Sequence, residues 1–273
     1  MKTILVPTDF SKSAENAMYY ACELASATGA KIILFHAYHI PVAVAEMPTI
    51  VVSMEELDKE LTAKMEKVKE EILSVYKLLI VKCELKAGFA AEEIADMAKE
   101  KNADLIVMGI TGAGKLGQVL IGSNTISLIR RTAVPVLVVP EEARFRVPAS
   151  IALASDYKEI QNNESIEFLK KLLHDFNAHL LVFNVHKEKE PVTVEKAAAG
   201  LRLENQLSDV EHDLYFPEDE SVIHGIDEFV TNHQVDMLVM VSRKHHIFDR
   251  LLHASNTKRM LFHTHIPLLV LHE

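Results

Sequence analysis

The sequence predicts an α/β protein built as two tandem, open, five-stranded parallel-sheet domains, and two observations carry that prediction. The first is a series of short, continuously apolar runs separated by segments whose apolar residues recur at helical spacing. Strands that are apolar on both faces belong in a sheet covered on both sides by helices. The second is that the series occurs twice in the 273 residues. Asp104-Leu-Ile-Val-Met lines up with Asp236-Met-Leu-Val-Met at a shift of 236 − 104 = 132. The same shift carries Ser123-Asn124-Thr125 onto Ser255-Asn256-Thr257 and Pro135-Val-Leu-Val-Val onto Pro267-Leu-Leu-Val-Leu. Thr8-Asp9-Phe10 matches Ser155-Asp156-Tyr157 at 156 − 9 = 147, so the second copy is shorter by 147 − 132 = 15 residues. The expected domains are 1–143 and 149–273, with Arg144–Pro148 as the linker.

In order, Ile4-Leu5-Val6 reads as a buried strand stopped by Pro7-Thr8-Asp9. Ser11 or Ser13 can cap the helix that follows, whose apolar face is Ala14, Ala17, Met18, Ala21, Leu24, Ala25 and Thr28. Gly29 ends it, and Lys31–His36 is a second strand. Residues 40–53 are apolar but broken by Pro41 and Pro48, which reads as a loop covering apolar surface. Glu55–Tyr76 is an amphipathic helix with Leu57, Leu61, Met65, Val68, Ile72 and Val75 on one face. Leu79–Leu85 is a third strand, Gly88 turns the chain into a helix over about Ala90–Lys101, and Asp104–Met108 is a fourth strand. A helix from about Ser123 to Thr132 and a fifth strand ending Val136-Leu137-Val138-Val139-Pro140 close the first copy.

Composition bounds the function. Hydrophobic residues make up 49% and charged residues 25%, an ordinary globular balance. The net charge of −10 and the lack of a basic tract argue against nucleic acid or an anionic membrane as partner. No apolar run reaches the length of a membrane span, and the N-terminal apolar run is too short for a signal peptide. Cys22 and Cys83 are isolated and read as core residues, so the expected compartment is a reducing cytoplasm.

The chemistry concentrates after the fourth strand. Met108-Gly109-Ile110-Thr111-Gly112 is followed nine residues later by Gly122-Ser123-Asn124-Thr125 at a helix start. Backbone N–H groups can crowd an anion where no Cβ intervenes, and a helix N-terminus adds its dipole. Gly109-x4-Gly114-Lys115 also fits the opening of a P-loop. Leu116, however, stands where the Mg²⁺-binding Ser/Thr belongs, and the loop follows the fourth strand rather than the first. The second copy replaces Gly109 by Val241, Gly112 by Lys244, Gly122 by Ala254 and Pro7 by Ala154, so its fold is expected to persist while its cradle is lost.

The spacing G-x2-G-x9-G-[ST], with Val6-Pro7-Thr8-Asp9-Phe10-Ser11, Phe35-His36-Ala37 and the closing Pro135-Val-Leu-Val-Val, resembles the universal stress protein family in its tandem form. The resemblance implies a Rossmann-like sheet of the adenine-nucleotide-binding type, holding ATP or a related adenine nucleotide, with Mg²⁺ as a candidate companion ion. It implies that Asp9, with Pro7 and Thr8 beside it, meets the ribose and that Ala37 meets the adenine through its backbone. Met108, Gly109, Gly112, Gly122, Ser123, Asn124 and Thr125 would take ribose and phosphates. It also implies that Val136–Val139 pairs with Leu268–Leu271 in an intramolecular pseudo-dimer, with a homodimer left open. A stress-response regulator is expected rather than an enzyme, because no general base, nucleophile pair or Mg²⁺ carboxylate cluster accompanies the loop.

Competing readings remain for several residues. Asp9 could simply cap a helix, and Asp156 is expected to do so. Twelve of the 14 histidines lie from His174 onward, with His245, His246, His253, His263 and His265 near the altered loop. Without fixed ligand spacing they read as polar surface. Lys244, His245 and Arg250 could bind an anion there. The apolar segment 40–52 motivates an interaction scaffold as the alternative function.

Overall fold

The computed structural model describes residues 1–39, 54–110, 112–113, 118–120, 122–155, 160, 162–186, 194–242, 261–262 and 265–273. The first half consists of β1 (Thr3–Pro7), α1 (Lys12–Thr28), β2 (Lys31–Tyr38), α2 (Met54–Val75), β3 (Val81–Ala87), α3 (Ala90–Glu100), β4 (Leu105–Ile110), the short β5 (Gly112–Ala113) and β6 (Gln118–Leu120), α4 (Ser123–Arg131) and β7 (Val136–Pro140). The second half consists of β8 (Ser150–Ala154), α5 (Asn163–Phe176), β9 (His179–Phe183), α6 (Val194–Gln206), β10 (His212–Tyr215), α7 (Val222–Asn232), β11 (Met237–Ser242), the short β12 (Leu261–Phe262) and β13 (Leu268–His272). Expectations on residues 40–53, Lys115, Asp156, Lys244, His245, His246, Arg250, His253, Ala254 and His263 lie outside the described residues.

Each half is a parallel sheet of five strands, ordered β3-β2-β1-β4-β7 and β10-β9-β8-β11-β13. The halves join through their last strands, β13 running antiparallel to β7 with Leu268 opposite Val138, Leu269 opposite Leu137 and Val270 opposite Val136. The result is one ten-stranded sheet. Side chains alternate across it. Ile4, Val6 and Val107 pack into the layer under α1 and α2, whereas Leu5, Ile106 and Met108 pack into the layer under α3 and α4. All five residues of β1 and of β7 are buried, which is why both read as unbroken apolar runs.

The repeat is visible in individual bonds. The Asp104 carboxylate accepts the backbone N–H groups of Lys2 (2.6 Å) and Thr3 (2.8 Å), and the Asp236 carboxylate accepts those of Ala149 (2.8 Å) and Ser150 (3.0 Å). The aspartate that opens the fourth strand of each half thus pins the start of the first strand. Gly29 ends α1 in the left-handed conformation at φ 70°, and Asn177 ends α5 in the same conformation at φ 51°.

Several expectations change. Val75, assigned to the buried face of α2, is 66% exposed at the last residue of that helix, and Leu73 packs partly against the core instead. β4 extends to Ile110, because Gly109 and Ile110 continue the ladder opposite Val139 and Pro140. The linker is docked. The Asn16 amide donates to the carbonyls of Pro140 and Ala143, both at 2.9 Å, while Arg144 donates to the Asn16 side-chain oxygen. The Phe145 ring meets Tyr20 of the first half and Phe176 of the second edge-on, at 5.2 and 6.5 Å between centroids. Among the described residues no helix is long and apolar enough to cross a membrane.

Candidate functional site

The strand order of the first half reverses between β1 and β4, and the crevice beyond their carboxyl ends is where such sheets receive ligands. A cavity of about 250 Å³ lies there. Ten of the eleven residues singled out in the sequence line it: Pro7, Thr8, Asp9, Ala37, Met108, Gly109, Gly122, Ser123, Asn124 and Thr125. Gly112 sits in β5 opposite Val119 of β6. The sequence reading missed Ser11, Ser13 and Ala14 at the start of α1, Phe35, Ile110, and Ala90 with Ile94 on α3. The i, i+4 spacing of Ala90 and Ile94 at the start of a helix that leaves a sheet carboxyl edge was the available signal.

After β1 the chain makes two tight side-chain turns. Thr8 Oγ1 accepts the N–H of Phe10 at 3.0 Å, and Asp9 Oδ1 accepts the N–H of Ser11 at 2.9 Å. Phe10 holds φ 64°, a conformation a bulky residue rarely adopts. Its ring packs on His36 at 4.7 Å and carries the Lys64 ammonium 3.8 Å above it, contacts that offset the strain. Asp9 is therefore not the helix cap. Ser11 is, its hydroxyl accepting from Ala14 N–H at 3.3 Å. Asp9 stays exposed at the mouth and is the one carboxylate among the described lining residues. His36 Nδ1 lies 2.7 Å from the Thr8 carbonyl, which can only accept, so the ring donates and ties the loop after β1 to the end of β2.

The two glycines differ in physical demand. A Cβ on Gly109 would sit 2.1 Å from the Ser13 carbonyl oxygen and 2.4 Å from its carbon, so the approach of α1 to β4 requires glycine there. Among the described residues, a Cβ on Gly122 would meet no atom nearer than Thr125 Oγ1 at 4.0 Å, and φ is −65°. Neither the described packing nor the backbone conformation asks for glycine at 122. As the N-cap of α4 it supplies no side-chain bond to the first turn, whose Ser123, Asn124 and Thr125 line the cavity.

The second half repeats the frame and alters the cradle. Asn184 takes the part of His36, its amide donating to the Ser155 carbonyl at 2.6 Å. Val241 occupies the place of Gly109. Correspondingly, α5 is capped at Asn162, whereas the shift of 147 would place the cap at 11 + 147 = 158. The helix starts four residues later (162 − 158).

Two open parallel half-sheets joined through their last strands, with a glycine-bounded crevice at one switch point, define a doubly wound, Rossmann-like protein. The family model described as "Universal stress protein family" matches residues 1–140 and again 151–272. The chain belongs to that family, in tandem form. A universal stress protein of Methanocaldococcus jannaschii is 34% identical over 155 residues, covering 50% of this chain and 94% of that protein. One from Thermus aquaticus is 34% identical over 139 residues, covering 50% of this chain and 98% of its own length. The crystal structure of a universal stress protein from Archaeoglobus fulgidus superposes over 99% of this chain and 98% of its own, with a TM-score of 0.72 at 16% identity, which shows a shared fold.

Proposed function

We propose that the first half binds an adenine nucleotide, ATP or a close relative, and that the chain acts as a stress-response regulator through that binding rather than as an enzyme. The observation that carries the reading is Gly122. Among the described residues nothing packs against the place of its Cβ, and it stands at a helix N-terminus with no side-chain cap, where a ligand would approach the backbone. The remaining wall suits the parts of a nucleotide. Phe35, Ala37, Ala90, Ile94 and Ile110 offer an apolar slot for a flat base, and Asp9 can accept hydroxyl hydrogen bonds from a ribose. Ser123 and Thr125 with the α4 N–H groups receive phosphate. At about 250 Å³ the cavity is smaller than the roughly 300 Å³ lower bound of most ligand pockets, so it fits a nucleoside with its phosphates running out past α4.

With Asp9 as the one carboxylate lining it among the described residues, a Mg²⁺ ion would take its ligands mainly from phosphate and water. The lining lacks a base paired with a nucleophile among the described residues, so hydrolysis of bound ATP is expected to be slow at most. Mass spectrometry of small molecules released on denaturing the purified chain tests the reading, with ATP and GTP titrations beside it. Release of an adenine nucleotide, or saturable ATP binding that GTP does not match, is expected. A chain that carries none and ignores ATP at millimolar concentration excludes it.

A further inference from the structure

The arm that leads into the cradle is held by the other half of the molecule. β5 and β6 form a hairpin, Gly112 opposite Val119 and Ala113 opposite Gln118. On its other side β6 pairs antiparallel with β12, Leu261 opposite Leu120 and Phe262 opposite Val119. Gly122 follows two residues after β6. β12 leads into β13, β13 pairs with β7, and β7 pairs with β4, which carries Gly109. The glycine loop is thus bracketed by one strand of its own half and one of the other.

The repeat gives a second, independent observation. The shift of 132 places Leu261 and Phe262 on 261 − 132 = 129 and 262 − 132 = 130, which are Ile129 and Arg130 in the last turns of α4. The first copy folds these positions as helix; the second folds them as strand. The half without the matching glycines thus folds these two positions as a strand that pairs with β6 of the glycine-bearing half.

We propose that β12 is a positioning strand for the nucleotide loop, its backbone pairing with β6 holding the approach to Gly122 and Ser123 in the shape that receives phosphate. The inference rests on the nucleotide reading of the cavity. A hairpin of two- and three-residue strands is marginal in water on its own, and a third strand stabilises it. Ordering backbone at the moment of binding costs conformational entropy at every residue fixed, so an arm ordered in advance raises affinity. Linkage makes the effect mutual: bound nucleotide must in turn strengthen the β6–β12 pairing.

The test uses the full chain and the double variant Leu261→Pro/Phe262→Pro, which removes both N–H groups of β12. Amide exchange is read at residues 118–120 and along β7 and β13, and ATP affinity is read by titration. Expected are faster exchange at 118–120, unchanged protection of β7 and β13, and ATP binding weakened roughly tenfold through lost preorganisation. In the unaltered chain, ATP should slow exchange at 261–262. Equal ATP affinity in the double variant with β7 and β13 still protected overturns the proposal, as does unchanged exchange at 118–120. An unaltered chain that does not bind ATP instead refutes the nucleotide reading, and the exchange result then reports on the brace separately. A second variant guards against misfolding. Val119→Cys with Phe262→Cys places cysteines directly opposite each other, within disulfide reach for an antiparallel pair. Its oxidised form should bind ATP at least as tightly as its reduced form. Loss of binding on oxidation, or failure to oxidise, counts against the proposal.

Discussion

The two halves share a frame but not a cradle, and the difference sorts residues by what they are for. Features that recur serve the fold. Asp104 and Asp236 pin the first strands, His36 and Asn184 lock the turn after them, and Gly29 and Asn177 end the first helices. Features confined to the first half serve the cavity: Pro7, Gly122 and the early start of α1 at Ser11. Gly109 is confined to the first half yet serves its packing as well, because the helix start that lines the cavity is the same backbone that excludes a side chain at 109.

The comparison is best broken by substitutions that move one half toward the other. Gly109→Val imports the residue of the second half without its later helix start. Its Cβ would lie 2.1 Å from the Ser13 carbonyl, and a backbone clash of that kind costs roughly 4 kcal/mol or more. Thermal and denaturant unfolding of the first half should therefore collapse. Gly122→Val adds bulk in open space. Unfolding should stay within about 0.5 kcal/mol of the parent, as for a surface change, while nucleotide affinity falls by roughly two orders of magnitude. The pair of variants separates a glycine of packing from a glycine of binding.

A third prediction concerns the joining strand. His272, at the end of β13, is 5% exposed; among the described residues its Nε2 has no hydrogen-bond partner, and burial pushes its pKa down to about 4. Above the unfolded value of 6.5 the imidazole is neutral in both states and costs nothing. As pH falls from 6.5 toward 4 the unfolded chain takes up the proton first, so stability is lost across that window. The loss should reach roughly 2 kcal/mol by pH 5, and His272→Leu should flatten the slope measured by denaturant unfolding at pH 7 and pH 5. Asp9→Asn should weaken nucleotide binding by roughly tenfold without altering the unfolding midpoint, since the carboxylate is exposed and its removal touches a charged hydrogen bond to ligand. The smallest effect is Gly29→Asn, which copies Asn177 into a left-handed cap with nothing among the described residues within 4 Å of its new Cβ. It should cost less than about 1 kcal/mol.

Much of this was legible before any coordinates. Strands buried on both faces, such as Leu105–Ile110 and Val136–Pro140, leave short continuous apolar runs, and Gly109 and Gly122 of the spaced glycines line the crevice beyond β1 and β4. What was hidden depends on contacts between distant segments. Nothing local marks Val75 as exposed, since its periodicity continues one turn beyond the surface that α2 covers. The docking of the linker needs Asn16, 128 residues from Arg144. The pairing of β6 with β12 joins a three-residue strand to a two-residue one, too short for any period to register, and the repeat itself argued for helix at 261–262. Ser11 and Ser13 were equivalent as caps on sequence alone; backbone geometry chose Ser11.

The most direct test of the account is calorimetric titration of the full chain with ATP, run in parallel on Gly122→Val. The account predicts one ATP bound per chain, lost in the variant while its unfolding midpoint is unchanged. Two sites per chain, no site, or binding that survives the valine would contradict it.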